Sequence, residues 1–305
     1  MLAIEHGCNS IQNSRIFDDL AAITGNWDTP GGNRGATKTA MAEYQYQFAQ
    51  DSMNTENYVG DDDIMSKIAG GERFPLLKWS QWWADDNTAY EMMVTGDPYP
   101  IVAGICESGD FMNMGNSLYN WDALNNLEFF AVVDLWHTPL SGKADILLPC
   151  FHWLEATAPR PSQGSSGAFG ATIKCIDPPG ECRYDPIISR DLHKAMGVPY
   201  STIPGIDPYP DLETMLDYSI PKANMSWAEF QEDFEKNGWW DCKARFPGLW
   251  GMYRRYEMGL VRPDGRQGLN TPTGKIEIWS TIMETFYPEK SDILPDYREA
   301  PQSRV

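Results

Sequence analysis

The sequence predicts an α/β protein built on an open, mostly parallel sheet with flanking helices. Two short apolar runs predict the sheet: EFFAVV at 128–133, which ends on Asp134, and ADILLP at 144–149. Both are strand-length and bounded by polar turn residues, as strands buried on both faces are. Helical segments with readable ends, at 10–24, 187–197 and 226–237, lie on either side of them. Buried strands separated by helices and loops argue a parallel arrangement.

Taken in order, residues 1–4 read as a short strand. SIQNSRIFDDLAAIT, 10–24, reads as a helix with Ser10 as N-cap and Gly25 as its stop. Ile11, Ile16, Leu20 and Ile23 fall near one face of it. The Gly-rich loop NWDTPGGNRG follows at 26–35. Residues 36–75 are polar, with DDD at 61–63, and read as surface loop and short helix; Trp79, Trp82 and Trp83 read as packing residues. EMMVT, 91–95, reads as a strand ending in the turn Gly96-Asp97-Pro98, and 115–126 as weakly helical.

After residue 155 the texture changes. Residues 156–186 are rich in Gly, Pro and Ser, and 198–221 read as a long proline-bearing loop. Between them IISRDLHKAMG, 187–197, is helical and stops at Gly197. SWAEFQEDFEKN, 226–237, is a helix with a capping box from Ser226 to Glu229. KIEIWS, 275–280, alternates as a strand does.

The 305 residues allow one large domain or two ordinary ones. The formal charge of −19 gives no footprint for nucleic acid, whose affinity rests on basic contacts to phosphate, and disfavours an anionic membrane surface. No apolar run approaches the roughly 18 residues of a membrane helix, so no direct membrane insertion is expected. No secretory signal is visible at residues 1–6, and the chain reads as beginning inside a fold. The six cysteines form no C-x-x-C pair, and Cys175 and Cys182 lack a zinc or iron–sulfur spacing. They read first as free thiols, although the even count permits disulfides.

In an open parallel sheet, ligands bind outside the carboxyl ends of the strands. An ionised Asp accepts hydrogen bonds and donates none. Guanine offers two adjacent donors, its ring N–H and its exocyclic amine, which one carboxylate can take side by side; adenine has no such pair. Asp134 at a strand end is therefore a sensible guanine reader, although spacing alone reads it first as the cap of the following turn. Gly96 would let a backbone approach a ligand closely, and Asp97 can bond locally. The G-x-G-x-x-G and P-loop patterns are absent, as is G-x-S-x-G. The four histidines, His6, His137, His152 and His193, form no close metal-ligand pair; His137 and His152 fall near the two strand ends. The residues alone reach an α/β nucleotide-binding domain whose reaction stays open.

Four segments together carry a family resemblance. HGCNSIQNSRIFDDLAAITGNWDTPGGN, 6–33, resembles the molybdopterin oxidoreductase pattern of Q-x-x-N, a helix, L-T-G-N and P-G-G. MMVTGDP, 92–98, resembles the family's next strand and turn. AVVDLWHTPLSGKADILLPC followed by HWLE resembles its V-V-D, A-D-x-x-L-P and W-x-E. NTPTGKIEIWS, 270–280, resembles the T-P-S-G-K-I-E that opens its last domain. The order is the family's, and the chain is similar to the third domain of the dimethyl sulfoxide reductase type plus the start of the fourth.

That resemblance implies residues 1–265 as a molybdopterin guanine dinucleotide-binding α/β domain, with a loop-rich insert at about 156–225. Residues 266–305 would open a β-rich, pterin-covering domain, beginning with its first strand. It also implies molybdenum or tungsten between two pterin guanine dinucleotides, two-electron oxygen-atom or hydroxyl transfer, and a small-molecule substrate. A 4Fe-4S cluster, where present, and the protein ligand to the metal would lie upstream of residue 1. An iron–sulfur electron-transfer subunit is the expected partner.

Position by position, the resemblance implies cofactor-binding roles for His6, Asn9, Gly96, Asp97, Val133, Asp134 and Asp185. His6 departs from the family's Gln, and Ala156 stands where some members carry Lys. Val133 and Asp134 match the strand end at the guanine nucleoside, which leaves Asp145 as a structural residue rather than a second ligand, and Asp185, before the late helix, matches a nucleotide contact. No catalytic residue and no metal ligand are assigned within the chain. HWLEATAPRPSQGSSGAFGA, 152–171, is similar to members acting on hydroxylated aromatics, the transhydroxylases and catechol dehydroxylases; Arg160 and Gln163 there read equally as parts of a structural loop. A non-catalytic guanine-nucleotide-binding module is the alternative. The compartment stays open between cytoplasmic and exported.

Overall fold

The computed structural model describes residues 9–33, 66–75, 78, 84–107, 109–113, 115–161, 168–219, 225–238, 240–241, 253–262, 264–286 and 293–296. His6, the expected strand at 1–4, the DDD run, Gln163 and the tryptophans at 79, 82 and 83 lie outside the described residues. In chain order the helices are α1 (Ser10–Ile23), α2 (Asp86–Thr95), α3 (Ser117–Leu124), α4 (Asp185–Met196), α5 (Leu212–Ser219), α6 (Trp227–Asn237) and α7 (Thr281–Phe286). The strands are β1 (Ala103–Glu107), β2 (Phe129–Asp134), β3 (Ile146–Pro149), β4 (Ala158–Pro161), β5 (Ala168–Thr172) and β6 (Trp240–Asp241). They fall into two compact units, Lys38–Cys242 and Met1–Thr37 with Lys243–Val305.

The larger unit carries a parallel sheet in the order β1-β2-β3. Ala103 opposes Phe129 and Glu107 opposes Val133; Ala131 opposes Ile146 and Asp134 opposes Pro149. β2 is central, which explains its unbroken apolar run: Phe130, Ala131, Val132 and Val133 are all buried. Tyr90 of α2, Ala123 and Leu124 of α3, Cys106, Phe130, Val132 and Leu140 form one core. The α/β class with an open parallel sheet is therefore present. A second, antiparallel sheet, β4-β5-β6, takes β4 and β5 from the Gly/Pro/Ser-rich region, where the sequence showed little periodicity, and β6 from after α6.

Two expected strands are absent. EMMVT lies inside α2 rather than in a strand. The Asp85 side chain caps that helix by accepting from the amide and hydroxyl of Thr88, at 2.8 and 2.7 Å, and Gly96 closes it in the left-handed region. These end signals outweigh the β-leaning of Met92-Met93-Val94, and the sheet strand is AGICE at 103–107. KIEIWS forms no strand either. Glu277 within it accepts from the amides and hydroxyls of both Thr273 and Thr281, which folds the segment into local turns. The strand expected to open a C-terminal domain therefore does not form at these residues.

Two helices differ from the expectation and one matches it. The loop expected at 198–221 contains α5. The capping box of α6 is present as expected, Ser226 and Glu229 each bonding the other's amide. In α1 the N-cap is Asn9 rather than Ser10, and no side chain caps it. Its apolar stripe, Ile11, Ile16, Leu20 and Ile23, is exposed.

In the smaller unit, Asp28 pins the NWDTPGGN loop. Its buried carboxylate accepts from the Arg255 amide at 2.8 Å and pairs with the Arg255 guanidinium at 3.2 Å, while its carbonyl accepts from the Arg254 amide. Gly32 is required there, because a Cβ would lie 2.3 Å from the Asn26 carbonyl oxygen.

Candidate functional site at the carboxyl ends of the sheet

The parallel strands end side by side on Glu107, Asp134 and Pro149. Beyond β3 the Cys150 amide donates to the Asp134 carbonyl oxygen at 3.3 Å. A distant segment then joins: the Arg183 amide donates to Pro149 O, and the Phe151 amide to Arg183 O, each at 3.0 Å. This bridge brings residue 183 alongside β3, and α4 starts two residues later at Asp185. Asp134 and Asp185, far apart in sequence, thus meet around Cys150, whose thiol feels both carboxylates.

Asp134 is half-buried, and its Oδ1 accepts from the Trp136 amide at 2.9 Å. The turn cap favoured by spacing is therefore real. A carboxylate has about four lone-pair sites, and among the described residues no other hydrogen bond reaches this one. Capping the turn and receiving a ligand are compatible roles.

Asp185 Oδ1 is buried and has no hydrogen-bond partner among the described residues. Burial pushes this carboxyl above the usual carboxylate range, against hydrogen bonding to the carboxyl from the Cys150 thiol and from its own amide. The Cys150 thiol is pushed up to about 12, first by burial and then by the neighbouring Asp185. The Glu107 carboxyl is raised by burial and by Asp185, while the Ser189 hydroxyl donates to it at 3.4 Å. Burial, then Glu107, raises the Tyr200 hydroxyl to about 12. An unpartnered buried acceptor costs about 1–3 kcal/mol, and a ligand donating an N–H or O–H would relieve it. The chemistry that these carboxylates offer is acceptance of N–H or O–H donors.

The other expected residues divide. Gly96 is the left-handed C-cap of α2, at φ 72°. A Cβ there would meet nothing nearer than Pro100 at 4.0 Å, so the helix end, and not a close approach within this chain, demands the glycine. Asp97 is exposed, with its amide on the Thr95 hydroxyl at 3.3 Å. Val133 is buried in the ladder between Glu107 and Leu148, one residue before the strand end. Asn9 belongs to the smaller unit, where its side-chain amide donates to the Asp296 carbonyl at 2.8 Å.

His152 and His193 are locally occupied. The first accepts from the Leu154 amide, and the second pairs with the Ser189 carbonyl. Glu155 of the W-x-E segment caps its own turn through the His152 amide. Among the described residues no group of three or more His, Cys, Asp or Glu side chains could hold a metal ion. Sequence reasoning missed Glu107 and Cys150. The signal for Glu107 was its place at the end of a strand that had been set a dozen residues too early.

No protein-family model matches the chain. It is 39% identical to the dopamine dehydroxylase of Eggerthella lenta over 351 aligned residues, covering 99% of this chain and 34% of that protein. It is 26% identical to the acetylene hydratase of Syntrophotalea acetylenica over 223 residues, covering 73% of this chain and 27% of that protein. The solved structure of acetylene hydratase from Pelobacter acetylenicus superimposes with a TM-score of 0.66 at 21% identity, covering 95% of this chain and 39% of that one. That likeness shows a shared fold. The chain spans about a third of the length of these curated relatives.

Proposed function

Because the chain belongs to the molybdopterin oxidoreductase family of the dimethyl sulfoxide reductase type, we propose that its strand-end carboxylates hold the guanine nucleoside of a pterin guanine dinucleotide within a larger oxidoreductase. The observation that carries this reading is the buried, unpartnered Oδ1 of Asp185, on a carboxyl that shares the neighbourhood of the Cys150 thiol with Asp134, whose own carboxylate accepts a single hydrogen bond. When bound, such a cofactor supplies a molybdenum or tungsten centre able to exchange electron pairs with substrate.

The chain's own part is positional. The free lone pairs of Asp134 take the paired N–H donors of guanine, and Asp185 takes a further donor of the nucleoside. Val133 presents backbone at the strand end, and Gly96 and Asp97 present the exposed turn after α2. Asn9 and His6 are assigned to the cofactor by their family positions alone.

The substrate class follows from the relatives. One is named for removing a hydroxyl group from dopamine, and we assign hydroxylated aromatics as substrates, with two-electron hydroxyl or oxygen-atom transfer as the reaction. An iron–sulfur subunit, and a 4Fe-4S cluster elsewhere in the full protein, would carry the electrons. Mass spectrometry of pterins and metal released from the purified intact gene product tests the reading. Guanine dinucleotide at about two per metal is the expected result, and a pterin without guanine would overturn it.

A further inference from the structure

We propose that the indole of Trp136 is the stacking platform for the purine whose edge Asp134 reads; this rests on the guanine assignment above. The chain path supports it. Ala131, Val132 and Val133 are buried, Asp134 is half-buried, and Leu135, Trp136 and His137 then all face outward before Leu140 returns to the core at 0% exposure. Trp136 is 70% exposed and Leu135 43%. Three successive side chains thus leave the protein at the carboxyl end of the central strand, where parallel sheets take their ligands.

The turn also couples the ring to the reader. The Trp136 amide donates to Asp134 Oδ1 at 2.9 Å, so indole and carboxylate belong to one closed two-residue turn. A flat base with its donor edge on the carboxylate lies within reach of the ring on that turn. Among the described residues no aromatic or cationic side chain stacks on Trp136, in contrast to Trp153, which packs on His152 with ring centroids 5.1 Å apart. An indole in water is the side chain that gains most from being covered by a π-face. Stacking accepts every base, whereas a carboxylate at the Watson–Crick edge favours guanine. The turn therefore divides the work: Trp136 supplies affinity and Asp134 supplies choice.

Calorimetric titration of the purified chain with GMP and with IMP, which lacks the exocyclic amine, tests this division. Trp136→Ala is expected to weaken both nucleotides about 5- to 100-fold, with the GMP-to-IMP preference unchanged. Trp136→Phe, which keeps a ring, is expected to restore most of the binding. Asp134→Ala is expected to abolish the preference. GMP is also expected to quench tryptophan emission in the wild type, with part of that quenching lost in Trp136→Phe. If Trp136→Ala binds both nucleotides as the wild type does while Asp134→Ala loses the preference, the stacking role falls and the guanine assignment stands. Loss of the preference in Trp136→Ala would also overturn the stacking role, since the ring would then act only through the turn. If the wild type binds no GMP, both fall.

Discussion

Phe130 and Asp145 exchange two hydrogen bonds between β2 and the residue before β3: the Phe130 amide donates to Asp145 Oδ2 at 2.7 Å, and the Asp145 amide donates to Phe130 O at 2.8 Å. Of the two aspartates that bracket the turn after β2, Asp145 is thus the structural one, as its sequence context implied. Its carboxylate is the partner of an amide on a buried residue. Asp145→Ala should lower the stability of the chain by about 1–3 kcal/mol, because that amide loses its acceptor away from water.

The contrast with Asp134 makes the expectation checkable. Asp134 bonds an amide in an exposed turn, which water can serve in its place. Its replacement by Ala should cost about 0.5–1 kcal/mol. Urea unfolding of both variants reads the difference. Equal losses would mean that the turn at 134–136 is itself part of the scaffold.

The cluster at Asp185 makes stability depend on pH. Asp185 and Glu107 both have carboxyls raised in the folded chain, in each case first by burial. A raised acid stabilises the fold fully below its unfolded value and loses that contribution as pH rises through the folded value. The ligand-free chain should therefore lose stability as pH climbs from about 4 through the raised carboxyl range. Asp185→Asn carries no charge to desolvate and should flatten the fall. Thermal melts between about pH 3 and 8 measure it; the variant should gain on the wild type towards neutral pH and lose its advantage at the acid end. An unchanged pH profile would show that Asp185 is hydrated rather than buried in solution.

Cysteine chemistry offers a second probe of the same strand ends. Cys150 is buried beside Asp185, with its thiol pushed up to about 12, and burial also raises Cys106. Cys175 is exposed. Since the thiolate is the reactive form, an alkylating reagent at pH 8 should modify Cys175 well before Cys106 or Cys150. Site-resolved mass spectrometry of a time course would show the order. Rapid modification of Cys150 in the folded chain would contradict its burial.

What the sequence made legible, and what it did not, follows the range of the forces involved. β2 was readable because a strand buried on both faces must be apolar at every position, and α6 because its capping box is a local exchange of hydrogen bonds. β1 was not readable, since AGICE is small, contains a glycine and ends on a carboxylate. Its pairing with β2 is decided by the neighbouring strand and not by its own pattern. The strand assigned to EMMVT came from a short apolar run, which periodicity cannot distinguish from a buried helix turn; the cap at Asp85 and the left-handed glycine at 96 held the answer. At the site, Asp134 was visible as a strand end, whereas the joining of Asp185 to it depends on the bridge between Cys150 and Arg183, a non-local pairing that leaves no mark on either segment.

Gly96 brings these strands of reasoning to one experiment. The proposed cofactor contact is one reason for it to be glycine, and the structure gives it a separate one: φ of 72° at the end of α2. Gly96→Ala should cost about 1 kcal/mol, since a Cβ in the left-handed region is strained even in open space. Gly96→Asn should recover much of that, because asparagine tolerates the conformation. Neither variant should weaken GMP binding if the ligand meets only the backbone of this turn, as the open space around the missing Cβ allows. Urea midpoints separate the two substitutions, and calorimetry with GMP reads the site. Should Gly96→Asn fold with wild-type stability and still bind GMP weakly, the glycine would be needed for close approach of the nucleotide, and the helix end would be the lesser of its two roles.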